Sequence, residues 1–332
     1  MDRILAYIAI LANSISICIS YPVFQPQITL LRRSGMSVGV GVNFPDPCII
    51  NVNDKWYAFA TRTIGSSVHI QMAESNDFNT WSIVTNSDGS QKDALPNLPS
   101  WVHSASPGTW APDVNLLVSS ENALLNSTRA ALESSSSYHC IGAAIASSID
   151  GPYTPVGESP LICPLSEGGA IDSSGFNDDG TRYIVYKIDG NSIGHGGDCG
   201  NDVAPYVETP LMLQQVSGDG LTLQGQPYKL LDHNGASDQG IVEAPSLLKS
   251  GQYYYLFFSP GCFTTRRYSI SYAYSKSING PYTRVPTPLF ATDVYGLTAP
   301  GGADVFDDGH HLLFHANYGD GRALYAATIT MS

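Results

Sequence analysis

Three carboxylic acids in this sequence stand in apolar stretches and share one spacing to the segment that follows. The stretches read "FPDPCII", "GGAIDSSGF" and "IVEAPSLL". Each acid lies eleven residues before a tyrosine of an aromatic-rich segment, in the pairs Asp46 and Tyr57, Asp172 and Tyr183, and Glu243 and Tyr254. Asp and Glu are seldom buried without a partner or a use. A structural role, as a hydrogen-bonded carboxylate at the end of a strand, is sufficient to explain one such residue. Three acids in the same position relative to an aromatic-rich segment, here called a common phase, indicate a functional cluster.

A cluster of carboxyl groups suits the hydrolysis of a glycosidic bond. One group must be protonated to assist the departing oxygen, and another must be ionised to activate water. We predict Glu243 as the acid, because its apolar sequence neighbours and nearby anions would favour the protonated form. Asp46, on a stiff segment between two prolines, is the predicted base. Asp172 is predicted to keep Glu243 protonated and oriented.

An internal repeat indicates the elements that would bring these acids together. The segments "SSIDGPYTPV" and "KSINGPYTRV" share the pattern Ser-Ile-x-Gly-Pro-Tyr-Thr-x-Val, and their glycines, Gly151 and Gly280, are 129 residues apart. Half of that distance gives a repeat of about 65 residues, which is typical of propellers built from four-stranded blades. We predict an all-β fold, a single-domain five-bladed β-propeller over residues 21–332. Innermost strands of blades face one channel, so the acids would meet there.

The second blade, about residues 110–150, departs from the repeat. Asp113, in "TWAPDV", lies 67 residues after Asp46 and 59 before Asp172, so it has the phase of the other acids. An aromatic strand is expected near residue 124, but the chain reads "NLLVSSENALLNSTRAALESSSSYHC". Ala, Leu and Glu favour helix. We therefore expect helical structure near residues 116–135, in a blade that is malformed, decorated or altered in sequence.

The first 20 residues have the features of a secretory signal peptide. A short basic start precedes a mostly apolar run, and small residues, Cys18 and Ser20, stand before Tyr21. We therefore expect a soluble, secreted, extracellular protein. Export permits disulfides, and the five cysteines that remain form at most two. Cys48, in an apolar run, is the predicted free thiol, and the pairing of the other four stays open.

The net negative charge restricts the kinds of molecule that the protein is expected to bind. A net charge of −13 argues against nucleic acid, anionic membranes and polyanionic substrates. The same charge also has an explanation in solubility alone. A neutral polysaccharide fits as the partner, and we expect a monomer.

Taken together, the motifs resemble glycoside hydrolase family 43. The Asp-Pro, Trp-Ala-Pro-Asp, Ile-Asp and Val-Glu-Ala-Pro segments follow in the family's order across residues 40–320. The resemblance implies a five-bladed propeller and hydrolysis with inversion of configuration. It also implies that Asp46 is the general base, Asp172 the pKa modulator and Glu243 the general acid. Substrates of the family are mainly L-arabinofuranosides or D-xylosides of plant cell-wall polymers.

One family motif is missing, and it bears on metal and sugar binding. Many members have Gly-Pro-Gly-His in the last blade, whereas "APGGADVF" places Gly302 at the histidine position. We therefore expect no cofactor and no metal, with calcium in the central channel doubtful. His315, in "HHLLFHAN", is the remaining candidate for a channel histidine, with a packed, hydrogen-bonded histidine as the alternative. Arg322 is predicted to reach a sugar hydroxyl or a catalytic carboxylate, with a surface role as the alternative.

The remaining predicted substrate-binding residues stand beside the acids. Trp110 and Phe44 would offer stacking surfaces, and Asp113 would join the acidic cluster. The resulting prediction is an exo-acting α-L-arabinofuranosidase on arabinan or arabinoxylan. A β-xylosidase acting on xylo-oligosaccharides and an endo-arabinanase are the enzyme alternatives. An inactive carbohydrate-binding propeller is the alternative of another class, and the complete set of acids argues against it.

Overall fold

The computed structural model describes residues 27–30, 38–40, 43–117, 123–126 and 129–331. Within these ranges the regular structure consists of 23 β-strands and five short 3-10 turns, without an α-helix. The turns are Leu165–Glu167, Gly190–Ile193, Asp198–Gly200, Gly235–Asp238 and Val294–Gly296. The predicted signal peptide, residues 1–20, lies outside the described ranges. No helix in these ranges has the length and apolar character that crossing a bilayer requires.

The strands form successive antiparallel sheets. Two short strands come first, β1 (Ile28–Leu30) and β2 (Val38–Val40). The first sheet contains β3 (Cys48–Val52), β4 (Lys55–Ala60), β5 (Gln71–Ser75) and β6 (Ser82–Ile83). The next segment supplies β7 (Asp113–Leu116), β8 (Ala123–Asn126), β9 (Arg129–Leu132), β10 (Ser135–Ile141), β11 (Ala143–Ala146) and β12 (Thr154–Val156). Of these, β7, β8, β11 and β12 form the second sheet, and β9 pairs with β10.

Three further sheets complete the described chain. The third contains β13 (Ala170–Asp178), β14 (Thr181–Ile188), β15 (Leu211–Val216) and β16 (Leu223–Leu231). The fourth contains β17 (Val242–Ser250), β18 (Tyr253–Pro260), β19 (Ser271–Ser275) and β20 (Thr283–Arg284). The last is built from β21 (Gly301–Val305), β22 (His311–Tyr318) and β23 (Gly321–Met331), and it also takes in β1 and β2.

The first strands of the sheets contact one another in a closed ring, in the order β3, β7, β13, β17, β21 and back to β3. The chain is therefore an all-β propeller, as predicted. Four of its sheets are four-stranded blades, whereas the prediction was five such blades. The last sheet differs because β1 pairs with the end of β23 and β2 pairs with its beginning. The repeat does not contain these N-terminal strands, so it could not predict this arrangement.

Aromatic-rich strands supply the packing between neighbouring sheets. Phe257 and Tyr272 of the fourth sheet are buried against Leu312, Phe314 and Ile329 of the last. Full burial of one such side chain stabilises the fold by about 1.5–3 kcal/mol. The rigid interfaces between sheets hold the ring of inner strands in place.

The two copies of the Ser-Ile-x-Gly-Pro-Tyr-Thr repeat have the same structure. Each copy leads into the outermost strand of a blade, β12 in one case and β20 in the other. The hydroxyl of Tyr153 donates to the carbonyl of Ile149 at 2.8 Å, and that of Tyr282 donates to the carbonyl of Ile278 at 3.1 Å. The shared hydrogen bond confirms that the repeat marks equivalent blade positions.

The predicted helix near residues 116–135 is wrong for the part of that segment that the structure describes. These residues form β8 and β9 and lead into β10. Because β8 pairs with both β7 and β11, sheet pairing outweighs the helix propensity of Ala and Leu. The hairpin of β9 and β10 is inserted before the third strand of the blade, which explains why the repeat fails in this blade.

The cysteines bear out the predicted free thiol. Among the described cysteines, Cys48 is buried and unpaired. The two disulfides join Cys140 to Cys163 and Cys199 to Cys262. The second disulfide links the loop after β14 to the loop after β18.

Candidate active site

The three predicted catalytic acids line one cleft of about 740 Å³. Asp46 precedes β3, Asp172 lies in β13 and Glu243 lies in β17, so they come from three different sheets. Loops beside all five sheets form the walls, which include Ile64, Trp110, Asn191, Phe263 and Asp320. The ring therefore gathers acids that are far apart in sequence, as their common phase predicted.

Asp46 is surrounded by groups that favour its ionised form. Its backbone has φ 52°, a left-handed conformation that Asp adopts more readily than most residues. Thr61 donates its hydroxyl to Oδ2 at 2.8 Å, and the Arg322 guanidinium donates to Oδ1 at 3.2 Å. Burial alone would raise the pKa of Asp46, but the Arg322 guanidinium and the hydrogen bond from Thr61 hold that pKa well below its usual range. Asp46 is therefore a carboxylate throughout the neutral and mildly acidic range.

His315 is fully buried against this carboxylate. Its Nδ1 accepts the backbone N–H of Asp46 at 3.1 Å and lies 3.2 Å from Oδ1 of the same residue. Burial and the nearby Arg322 lower the pKa of His315, so the ring is neutral. Of the two partners predicted for Arg322, the structure places it on a carboxylate, that of Asp46. Arg322 and His315 therefore both hold Asp46 in its orientation.

Asp172 lies in a contrasting environment. Its backbone has φ 54°, and Oδ2 accepts the N–H of Ala244 at 3.0 Å. Burial raises the pKa of Asp172 to about 7, and the Glu243 and Asp46 carboxylates raise it while Lys187 opposes them. The hydrogen bond to Ala244 joins Asp172 to the strand that carries Glu243. Asp172 is thus placed to retain a proton beside Glu243 near neutral pH.

Glu243 has polar partners on both carboxyl oxygens. The hydroxyl of Tyr268 donates to Oε1 at 2.8 Å, and Nζ of Lys187 donates to Oε2 at 3.0 Å. The apolar sequence neighbour Val242 instead packs in the core between the third and fourth sheets. Successive side chains of a strand point to opposite faces, so apolar neighbours in sequence do not surround the carboxyl group. The predicted apolar environment of Glu243 is therefore wrong, and a cation and a phenol take its place.

A stacked ring pair connects the two ends of the site. The rings of Tyr268 and His315 lie 5.8 Å apart and are nearly parallel, with an interplanar angle of 14°. The Tyr268 and His315 rings fit here because positions 301 and 302 are both glycine. A Cβ atom on Gly302 would lie 2.8 Å from the His315 ring and 2.9 Å from Oδ1 of Asp46, and a Cβ atom on Gly301 would collide with Tyr268. A histidine at position 302 would therefore collide with His315 and Asp46.

Two further predicted substrate-binding residues, like His315, do not line the cleft. Phe44 is fully buried and packs with the apolar side chains of β3, β4 and the last sheet, so it has no face free for a sugar. Asp113 lies in the central channel, where it accepts the N–H of Gly175 at 2.7 Å. Burial and the nearby Asp304 raise the pKa of Asp113 to about 8. Phe44 therefore corrects the prediction. Asp113 joins Asp46 and Asp172 in the lining of the channel, as predicted, and its contact with substrate stays a prediction.

Trp110 lies in the cleft wall, as predicted. Its indole stacks on the His139 ring at a centroid distance of 5.3 Å. His139 belongs to β10, so the inserted hairpin supports the wall of the cleft. The departure from the repeat in this blade therefore contributes to the site.

The described residues do not form a ligand set for a metal ion. No group of three or more His, Cys, Asp or Glu side chains among them is placed to hold one. Gly302 supplies no donor at the position where many family members have histidine. Nε2 of His315 is buried without a hydrogen-bond partner in the described structure. The expectation of no bound metal stays a prediction.

Several site residues were not predicted from the sequence. They are Thr61, Lys187, Tyr268 and Phe263. One of them carried a signal, because Lys187 stands in the apolar stretch "YIVYKI" just as Glu243 stands in "IVEAPSLL". The others are common residue types in loops or strands, and only the assembled ring brings them to the acids.

The chain is similar to known proteins over most of its length. The family model for glycosyl hydrolases family 43 matches residues 40–330. The extracellular endo-α-(1→5)-L-arabinanase 2 of Bacillus subtilis (strain 168) is 28% identical over 264 residues, which cover 73% of this chain and 50% of that protein. A xylan 1,3-β-xylosidase of a Vibrio species is 26% identical over 260 residues, which cover 72% of this chain and 40% of that protein. The chain thus spans half or less of the length of these relatives.

The fold is also found among solved structures. The crystal structure of a thermostable family-43 glycoside hydrolase superposes with a TM-score of 0.66 at 22% identity. The match covers 87% of this chain and 88% of that one. At this identity the likeness shows the propeller fold alone.

Proposed function

The chain belongs to glycosyl hydrolases family 43, and we propose that it is a secreted, inverting glycosidase that removes L-arabinofuranosyl residues from plant cell-wall arabinan or arabinoxylan. One observation carries the proposal. Asp46 is held ionised, while Asp172 holds a proton close to Glu243 in the same cleft. Inverting hydrolysis needs such a division between an ionised and a protonated carboxyl group.

The proposed reaction is a single displacement. Asp46 takes a proton from a water molecule as the water oxygen attacks the anomeric carbon. The bond from that carbon to the leaving oxygen breaks, and Glu243 gives its proton to the leaving oxygen. In the reactive form, the proton that the neighbouring carboxyl groups of Glu243 and Asp172 share lies on Glu243, and Asp172 carries the negative charge. Afterwards Asp46 carries a proton and Glu243 carries a charge, and exchange with solvent restores both.

We also propose that the five-stranded last sheet serves as the fifth blade of the propeller, because β21 contacts both β17 and β3. Secretion is supported by the extracellular name of the Bacillus subtilis relative and by two disulfides, which form in oxidising compartments. The net charge of −13 supports a neutral polysaccharide as the partner. A monomer remains our expectation.

A second candidate is an endo-arabinanase. The name of the Bacillus subtilis relative favours it, since that protein is described as an endo-α-(1→5)-L-arabinanase. The same three acids serve either activity, because cleavage within a chain and at its end differ in how the cleft walls accept the polymer. The name of the Vibrio relative supports a β-xylosidase, but at a lower identity of 26%.

Product analysis separates these activities. The protein is incubated with 4-nitrophenyl α-L-arabinofuranoside, 4-nitrophenyl β-D-xyloside and linear arabinan, and the products are sized by chromatography. We expect nitrophenol from the arabinofuranoside and free arabinose from the polymer. Oligomers from arabinan without nitrophenol would favour the endo-arabinanase. Folded protein that releases sugar from none of the three would overturn the proposal.

Phe263 is predicted to be a stacking surface for the sugar. Its side chain is 39% exposed in the cleft wall, and the Arg322 guanidinium lies 4.8 Å from its ring centroid. The disulfide at Cys262 fixes the loop at this point. Aromatic stacking contributes about 0.5–1.5 kcal/mol, so Phe263→Ala should raise KM about 2- to 10-fold and leave kcat nearly unchanged.

Initial-rate kinetics on linear arabinan check this prediction. Tyr228→Ala is a matched control, because Tyr228 is an exposed aromatic residue of β16 that does not line the cleft. An equal rise in KM in both variants, or no rise in Phe263→Ala, would show that Phe263 does not bind the sugar.

A further inference from the structure

Lys187 is a fully buried lysine whose ammonium group lies between two carboxylates. Its Nζ lies 3.0 Å from Oε2 of Glu243 and 4.0 Å from Oδ1 of Asp189. The side chains of Lys187 and Asp189 are both fully excluded from solvent. The Glu243 side chain is 13% exposed, so it connects the buried Lys187 and Asp189 to the cleft.

The buried charges continue away from the cleft. Oδ2 of Asp189 lies 3.7 Å from Nδ1 of His139, and His139 stacks on Trp110. The series therefore runs from Glu243 to Trp110, and both of these residues line the same cleft. It crosses three sheets, since Glu243 lies in β17, Lys187 in β14 and His139 in β10.

A purely structural role is a poor explanation for these charges. Removing an ion from water is costly, and well-packed apolar residues often replace a buried ion pair without loss of stability. The strand that carries Lys187 is apolar on both sides of it, in the stretch "YIVYKI". Apolar packing alone would therefore favour Leu or Met at this position.

We propose that Lys187 is a positioning residue for the general acid, and that its ammonium stabilises the carboxylate that forms on Glu243 when the proton moves to the leaving oxygen. The inference rests on the proposed function of Glu243. A general acid changes from neutral to negative during the step, and a donor fixed in place beforehand stabilises that charge without reorganisation. Tyr268 donates to the other oxygen and gives a second such contact.

The charged groups around Lys187 partly offset the effect of its ammonium on Glu243. Glu243 faces Lys187, Tyr268 and Asp172, and Lys187 also faces Asp189. The carboxylate of Asp189 offsets part of the ammonium charge. In the reactive form, the charge on Asp172 opposes ionisation of Glu243. Lys187 consequently has its largest effect once the proton has begun to leave Glu243.

The test compares Lys187→Met on leaving groups that differ in their need for a proton. Loss of one preorganised donor typically lowers the rate by about 10²–10³-fold. We expect a loss of that order in kcat on arabino-oligosaccharides, whose sugar leaving group must be protonated. The loss should be small on 2,4-dinitrophenyl α-L-arabinofuranoside, whose phenolate leaves unaided. The alkaline limb of the pH profile should move to higher pH, because the ammonium no longer favours ionisation of the acid.

Controls separate this result from misfolding. Lys249→Met removes a partly exposed lysine that pairs with Asp178 and Asp179 away from the cleft, and it should leave all rates unchanged. If Lys187→Met does not fold, Lys187→Met combined with Asp189→Asn removes both buried charges and is measured in its place. Tyr268→Phe retains the ring and should show the same dependence on leaving group with a smaller loss.

Two outcomes would overturn the inference. An equal loss on both leaving groups with an unmoved alkaline limb would show that Lys187 is structural. Unchanged rates in folded Lys187→Met would remove it from the mechanism. Failure of the proposed function is distinguishable, because the unaltered protein would then hydrolyse neither substrate.

Discussion

Glu243→Gln is expected to lower kcat on arabino-oligosaccharides by about 10²–10⁴-fold, which is the usual contribution of general acid catalysis. Glutamine has the shape of glutamate, and its amide oxygen still accepts a hydrogen bond from Lys187 or Tyr268. It has no carboxylic proton to give to the leaving oxygen. The fold should therefore remain intact while proton donation is lost. Circular dichroism together with steady-state kinetics between pH 4 and 8 measures both properties.

Activated substrates sharpen this test. On 2,4-dinitrophenyl α-L-arabinofuranoside, Glu243→Gln should retain most of its activity, because the leaving group needs no proton. Glu208→Gln is a matched control, since Glu208 is 75% exposed and pairs with Lys229 on the surface. An unchanged rate on oligosaccharides by Glu243→Gln would remove Glu243 from the mechanism. A severe loss on the activated substrate would assign it a role other than acid.

The sequence predicts the common location of the three acids, because their positions depend on the backbone of a repeated unit. Asp46, Asp172 and Glu243 share a phase relative to an aromatic strand, and the ring of inner strands converts a common phase into a common place. Side-chain partners follow no such rule. Lys187 and Tyr268 reach Glu243 from β14 and from the loop after β18, so their contacts depend on how sheets pack.

The same limit explains the errors at the level of the fold. The repeat predicts four-stranded blades, but it contains no information about β1 and β2, which join the last sheet through β23. Local propensity favoured a helix near residue 124, yet β8 lies between β7 and β11, and cross-strand pairing decides the structure. Long-range contacts therefore set both features, and a local pattern cannot show them.

The electrostatic contrast between two aspartates is the other result that the sequence could not give in full. Both Asp46 and Asp172 are half-buried, and both have left-handed backbones. The pKa of Asp46 falls because Arg322 and Thr61 face it, whereas the pKa of Asp172 rises to about 7 because burial and Glu243 outweigh Lys187. The difference in pKa therefore follows from neighbours in space rather than from residue type.

Asp46→Asn is expected to lower kcat by about 10²–10⁴-fold on oligosaccharides and on activated substrates alike. The base acts on the attacking water, and that step is required whatever the leaving group. Asparagine keeps the size of the side chain but cannot accept the proton. This shared loss separates Asp46→Asn from Glu243→Gln, which should spare the activated substrate.

Azide provides a direct check on this assignment. An anionic nucleophile needs no base, so azide should restore turnover of the 2,4-dinitrophenyl substrate by Asp46→Asn and give a glycosyl azide of inverted configuration, identified by NMR. Asp219→Asn is the control, because Asp219 lies in an exposed turn between β15 and β16 and should behave as the unaltered protein. Retained activity in folded Asp46→Asn, or an azide product of retained configuration, would contradict the role of Asp46. Either result would move the base to another group in the cleft, and Arg322 and His315 would then stabilise Asp46 for structural reasons alone.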